Sequence, residues 1–360
     1  MHIAQLVPTL HTGDAIGNNA IALKTFFGSL QAESEIFFLE ADSEAAHLGK
    51  PVKEMSAWMK ASSKLITILH YALPSSLNDL FAQLPGQKIL IYHNITPPSF
   101  LTGYPHLQHI SRAARTCLMN LKSVPDVALG DSEYNRRELE EMGFSETGEM
   151  PILLDFESYR KEPNAVLLNM FSKKDMINFL FVGRVTPNKC QHDIIRFYGF
   201  FKRYIDPRCR LFLVGKYTGF ERYLYACMDF ARRLNLGDIY FTGKTTHSEL
   251  LAYYRVADLF ISMSEHEGFG VPLIEAMLLD IPIMAFSAAA VPYTLSGGGV
   301  VFHRKERLIE IGELAWEILQ NENLKENILR HQKKRLEYFR PTSIYQRWKR
   351  LLHSKFGMPF

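Results

Sequence analysis

The chemistry legible in this sequence rests on two glutamates and two cations. Glu267 and Glu275 stand in SEHEGFGVPLIEAM (264–277), directly after the apolar run DLFIS. Gly268 and Gly270 allow a ligand close to the backbone, and Pro272 suits the start of a helix near Val271. Such a loop presents unpaired N–H groups and the positive end of a helix to an anion. Glu275 then falls on the first turn of that helix and Glu267 on the loop before it, so each carboxylate can hold a different part of a long ligand. Taken alone, two carboxylates at this spacing are ordinary solvated groups. Set between a strand, a glycine loop and a proline-started helix, they are specific. The cations lie in FLFVGRVTPNKCQHDII (179–195), where Gly183 and Arg184 end a strand and Lys189 follows before a helix. Ligands of open parallel sheets sit beyond the carboxyl ends of the strands. There Arg184 offers a fork and Lys189 a point charge to a diphosphate; by itself this motif reads equally as two surface cations.

The elements that must position these residues follow from hydrophobic patterning. Strand-like runs occur at 2–7, 34–40, 64–70, 88–93 and 126–132, and again at 178–183, 210–215, 239–243, 258–264 and 281–286. Amphipathic stretches between them (18–30, 107–121, 194–204, 221–234, 248–257 and 308–320) read as helices. Strands alternating with helices indicate parallel sheets of right-handed βαβ units, and two such series make two doubly wound domains. The charged stretch ESYRKEPNAV divides them, giving domains at 1–160 and 161–337, with 338–360 too short to stand alone.

Composition limits the alternatives. At 360 residues, 47% hydrophobic and 22% charged, the chain is an ordinary globular protein with room for two cores. Cys117, Cys190, Cys209 and Cys227 are scattered, without zinc spacing, which fits a reducing compartment and no structural metal. MHIAQLVPTL has no basic leader and reads as a first strand, no run is long enough to span a membrane, and a cytoplasmic protein is expected. A net charge of +3 gives no reason to expect nucleic acid. The charge is uneven: residues 1–165 hold 13 Lys/Arg against 19 Asp/Glu, the remainder 28 against 19. A basic second half suits an anionic ligand and equally a solvated C-terminal helix.

FVGR…K followed by S-x-x-EGFG-x-P-x-x-EAM resembles the retaining glycosyltransferases of family four. The likeness extends through HTGDAIGNNA (11–20), YHNITPP (92–98), DSEYNRRELEEMGF (131–144) and PILLDFESY (151–159). It implies the GT-B fold: two Rossmann-like domains facing a cleft, a nucleotide-sugar donor held mainly by the second, and a last helix crossing back to the first. It further implies that no metal or cofactor is required. By position, Arg184 and Lys189 would bind the diphosphate and stabilise its departing charge. Glu275 would take the ribose hydroxyls, and Glu267 the sugar hydroxyls. Gly183, Gly243, Gly268, Phe269, Gly270 and Val271 would line the donor. The Gly13–Asp14 loop would close over the phosphates, and His93 would stand near the reacting carbon, with His70 a weaker candidate and His2, His47 and His331 structural. Neither glutamate would flank the anomeric carbon as in a retaining glycosidase, so the implied mechanism is front-face transfer, the leaving diphosphate taking the acceptor's proton. The likeness to enzymes of bacterial surface-polysaccharide assembly, such as O-antigen, favours a hexose, foremost mannose from GDP-mannose, ahead of a UDP-sugar. The acceptor would be a glycan or a lipid-linked glycan, with peripheral contact at the inner membrane face through Arg112, Arg115 and Lys122 or Arg347, Lys349 and Arg350. Asp280 and Tyr293 stand where the family often has glycine and glutamate, and the N-terminal loop lacks a doubled glycine. A sugar epimerase, a phosphorylase and a silent binding subunit are the rivals. A dinucleotide dehydrogenase is disfavoured because HTGDAIGN has the wrong glycine spacing.

Overall fold

The computed structural model describes residues 2–60, 64–172 and 175–358. The chain forms two units. One runs as far as Asp155 and resumes at Phe339; the other is Phe156–Tyr338. The first contains β1 (His2–Leu10), α1 (Ala15–Ser29), β2 (Glu33–Ala41), β3 (Lys50–Pro51), α2 (Met55–Met59), β4 (Leu65–Tyr71), α3 (Leu77–Gln83), β5 (Gln87–Tyr92), α4 (Pro105–Asn120), β6 (Val127–Gly130), α5 (Glu133–Glu141) and β7 (Thr147–Glu149). The second contains α6 (Ala165–Phe171), β8 (Ile177–Val182), α7 (Gln191–Tyr204), β9 (Cys209–Val214), α8 (Glu221–Arg233), β10 (Ile239–Gly243), α9 (His247–Val256), β11 (Leu259–Ser262), α10 (Val271–Leu278), β12 (Ile283–Phe286), α11 (Val291–Leu295), β13 (Val300–Phe302), α12 (Leu308–Gln320) and α13 (Glu322–Leu336). The last helix, α14 (Pro341–Phe356), returns to the first unit.

All strand pairs are parallel. The first sheet runs β3-β2-β1-β4-β5-β6-β7, the second β10-β9-β8-β11-β12-β13. Each order reverses once, beside β1/β4 and beside β8/β11, and those switch points are where open α/β sheets leave a crevice. The central strands are mostly apolar because helices cover both faces, with Gln5 of β1 and His70 of β4 as buried polar exceptions. Leu211, Phe212, Leu213 and Val214 are all buried. β3, β7 and β13 went unseen in the patterning because two or three residues at a sheet's margin carry no periodicity.

Local chemistry sets the ends. The glycine of HTGDAIG at Gly17 is required by space: a Cβ there would lie 2.1 Å from the His11 carbonyl oxygen. At the mouth of the second sheet, a Cβ on Gly215 would lie 2.1 Å from the Gly183 carbonyl oxygen, so the turns after β8 and β9 can approach only as glycines. Helix α9 opens on a reciprocal cap. The Thr246 side chain accepts from the Glu249 amide, and Glu249 accepts from the Thr246 amide at 2.8 Å. Thr246→Ala is expected to lower the unfolding free energy by about 1 kcal/mol in urea titration. An unchanged midpoint would show the cap is redundant.

The returning helix supplies core to the first unit. Ile344, Trp348, Leu352 and Phe356 are buried with Phe26, Phe27, Ile66 and Ile89. Trp348 meets Phe27 edge-on at 5.3 Å. This accounts for the apolar positions of RWKRLLHSKF, while its Lys349 and Arg350 are exposed. The first unit ends before the charged stretch that marks the boundary in the sequence, because Phe156 and Tyr159 are buried within the second. Among the described residues no helix is long and apolar enough to cross a membrane.

Candidate functional site

Arg184 and Lys189 leave the end of β8, and Glu267 leaves the end of β11. These strands are neighbours at the switch point of the second sheet, so residues far apart in sequence meet. Lys189 closes a short 3-10 turn before α7 and pairs with Glu267, both side chains less than a fifth exposed. Asn188, which the sequence reading passed over, ties the two loops together. Its Nδ2 donates to the His266 carbonyl at 3.1 Å, and its carbonyl accepts from the Glu265 amide at 2.9 Å. Lys305, just past β13, pins the arrangement from below. Its Nζ donates to Asp193 on α7 at 3.0 Å and to Glu265 at 2.8 Å. Burial works against the Lys305 charge, yet Glu265 and Asp193 together hold its pKa above the usual lysine range. Arg184 is exposed, its guanidinium lying 5.4 Å over the Phe220 ring and donating to the Thr218 carbonyl at 3.4 Å. Gln191 holds the Arg184 carbonyl at 2.8 Å.

The glycine loop is built as its residue types require. Gly268 is half-buried, Phe269 is buried, and the Thr294 hydroxyl holds the Phe269 carbonyl at 2.5 Å. Gly270 takes φ +87° immediately before α10, which begins at Val271 with no side-chain cap. The Leu273 amide in that first turn donates to the Gly270 carbonyl at 2.9 Å. Gly183 and Gly243 follow or end β8 and β10, and Tyr217 approaches the Gly243 Cβ position at 3.3 Å.

Helix α10 begins at Val271 as expected, so Glu275 opens its second turn rather than falling in the first, and it is 7% exposed. Both carboxylate oxygens are occupied: Tyr159 donates to Oε1 and Tyr254 to Oε2, each at 2.5 Å. Burial raises the Glu275 pKa, against the pull of the two hydroxyls. Neither tyrosine was singled out from sequence. The only signal was Tyr159 at the end of PILLDFESY, and Tyr254 looked like one more apolar position on a helix.

In the first unit, Gly13 has φ +82° with open space around it. Asp14 is the N-cap of α1, its Oδ1 accepting from the Gly17 amide at 2.6 Å. That assigns its carboxylate to the helix end, which thereby already holds an anion. His93, expected to reach a sugar hydroxyl, has its ring 2% exposed and both nitrogens engaged. Nδ1 meets Asp131 at 3.3 Å and Nε2 meets His70 at 3.0 Å. The ring is turned into the unit because β4 and β6 flank β5 and bring His70 and Asp131 to its sides.

Cys190, His192 and Asp193 place three donor atoms within 4.8 Å. They do not fit a metal: Asp193 is held by Lys305 and Arg196, and burial pushes the Cys190 thiol up to about 11.

Residues 170–335, nearly all of the second unit, match the model of the family described as "Glycosyl transferases group 1". The O-antigen chain mannosyltransferase B of Escherichia coli is 28% identical over 123 residues, 34% of this chain and 32% of that protein. The matched stretch is thus about a third of that relative's length. Sucrose-phosphate synthase from Thermosynechococcus elongatus superposes with a TM-score of 0.77 at 16% identity, covering 99% of both chains. HepE of Anabaena, solved in complex with UDP-glucose, superposes with 0.75 at 15% identity, over 98% of this chain and 100% of that one. The chain is thus similar over residues 170–335 to the family described as glycosyl transferases group 1, and it has the GT-B fold.

Proposed function

We propose that this protein is a retaining hexosyltransferase that takes mannose from GDP-mannose to a glycan or lipid-linked glycan in polysaccharide assembly, without a metal or cofactor. The observation that carries the reading is the Lys189–Glu267 pair at the β8/β11 switch point, with Arg184 on the same loop after β8. Two cations there replace a divalent ion in neutralising a diphosphate, and a carboxylate within reach of one of them can accept from sugar hydroxyls. In the free protein Lys189 and Glu267 satisfy each other; the donor separates them, the lysine turning to phosphate and the glutamate to the sugar. As the diphosphate leaves, Arg184 and Lys189 stabilise its growing charge. The departing oxygen takes the acceptor's proton on the same face, so no dedicated base is needed.

The mannosyl donor is supported by the O-antigen relative. A UDP-sugar is the second reading, supported by HepE crystallised with UDP-glucose. The protein would work in the cytoplasm, at most peripheral to the inner membrane. A thermal-shift panel of GDP, UDP, GDP-mannose, UDP-glucose and UDP-N-acetylglucosamine tests the donor. GDP-mannose at a hundredfold its Kd stabilises by about 2.7 kcal/mol. A shift with the uridine nucleotides alone would overturn the guanosine reading, and no shift with any would overturn the enzyme.

A further inference from the structure

The first unit holds a closed chain of buried polar groups that no known role of the glycine and glutamate loops explains. Gln5 and His70 are fully buried. Gln5 Nε2 donates to the Ala20 carbonyl at 3.0 Å. That carbonyl only accepts, so the amide orientation is forced and Gln5 Oε1 faces His70 Nε2 at 3.0 Å as an acceptor. His70 must therefore carry its proton on Nε2. Burial pushes its pKa well below the usual range, with the neighbouring His93 adding to the effect, so its Nδ1 is bare and accepts. The proton between the two rings then belongs to His93 Nε2. On its other side His93 Nδ1 meets Asp131, whose second oxygen accepts from Asn135 Nδ2. One proton must therefore lie between His93 Nδ1 and the facing Asp131 oxygen.

We infer that Gln5, His70 and Asp131 are positioning residues that hold His93 as an imidazolium paired with the Asp131 carboxylate. The chain ends at an amide on one side and at Asn135 on the other, neither of which passes a proton, so it fixes protonation states and conducts nothing. His93 accordingly neither takes a proton from an acceptor nor lends a lone pair to a sugar. What the pair holds is the corner after β5. Asn94 sits there at φ +78°, a left-handed conformation that asparagine adopts more readily than other residues with a side chain, and its Nδ2 donates to Asn135 Oδ1 at 2.7 Å and to Glu138 at 3.2 Å. Asn135 thus joins the histidine chain to a second one, Arg115–Glu138–Tyr92, in which Arg115 reaches Glu138 at 2.5 Å and the Tyr92 hydroxyl reaches it at 2.9 Å. The charged and titratable groups facing His93 are therefore His70, Asp131 and, through Asn135, Glu138 and Arg115.

The role in turnover rests on the hexosyltransferase reading; the protonation states do not. Imidazole nitrogens of the 15N-labelled full chain, assigned with His70→Gln and His93→Gln, are read by long-range 1H–15N correlation at neutral pH. His70 is expected as the neutral Nε2–H form and His93 protonated on both nitrogens. A His93 with a bare Nδ1 would overturn the inference. Asp131→Asn keeps a bond to Asn135 and can donate to His93 Nδ1, so it should leave the fold intact and turn His93 neutral. With that change the corner after β5 loses its charged pair and turnover should fall about tenfold, the order lost when an outer-shell partner of a metal-ligating histidine is removed, with donor KM within twofold. A neutral His93 with unchanged turnover would remove the positioning role. A wild-type protein that binds no nucleotide sugar, yet shows the imidazolium, would count against the donor reading alone and support the assigned protonation.

Discussion

Lys189→Ala is expected to lower turnover by about 10²- to 10³-fold, the usual loss when one donor to a developing oxyanion is removed. The alanine also strands Glu267, whose side chain is 15% exposed and has lost its cation. An unpaired carboxylate at that depth repels an anionic donor, so affinity falls as well, for a reason unrelated to the transition state. The two effects separate on a Glu267→Gln background, where no stranded charge remains. There the additional Lys189→Ala change should leave donor affinity within a few-fold while turnover stays depressed. Calorimetric affinity and single-turnover rates on the four proteins of this cycle give the coupling directly. Equal losses in affinity and rate on the glutamine background would mean the lysine binds ground state and transition state alike. Arg184, exposed and stacked on Phe220, is already free to turn to a phosphate and has no such stranded partner.

Glu275→Ala should be the most destabilising of the site substitutions, by about 2–5 kcal/mol, because it leaves two tyrosine hydroxyls in a buried place without their acceptor. Tyr254 is 1% exposed and Tyr159 9%. Tyr254→Phe and Tyr159→Phe each remove a single bond to the carboxylate and should cost about 1.5–3 kcal/mol, the range for a bond to a charged group. Glu275→Gln keeps the volume and offers one oxygen, so it should fold and reveal any loss of donor affinity without the stability loss. The pH dependence carries a sign of its own. Burial lifts the Glu275 pKa above the ordinary 4.5, so above pH 4.5 the unfolded chain releases a proton that the folded chain still keeps. The contribution of this group is greatest below 4.5 and is lost as pH rises through the lifted value. Urea midpoints of the wild type minus those of Glu275→Gln should therefore decline as pH rises from 4.5 to neutrality. A difference that climbs with pH would mean the two hydroxyls outweigh the burial.

The sequence by itself determined the alternation of strands and helices, the strand ends that carry Arg184 and Glu267, and the loop in which Gly270 turns at positive φ before a proline-started helix. All of these are written in neighbours: side-chain periodicity, the missing Cβ of glycine and the fixed φ of proline act over a few residues. Only the tertiary structure decided which of these residues touch. Lys189 meets Glu267 because β8, which pairs with the next strand β9 on one side, pairs on its other side with the distant β11, and a crossover of that kind leaves no local trace. Tyr159 and Tyr254 reach Glu275 from a turn at the unit boundary and from α9, and nothing in either segment's pattern distinguishes them from core tyrosines. His93 stood out as a histidine at a strand end. Its occupation by His70 and Asp131 depends on three strands lying side by side, a fact of sheet order that spacing along the chain does not contain.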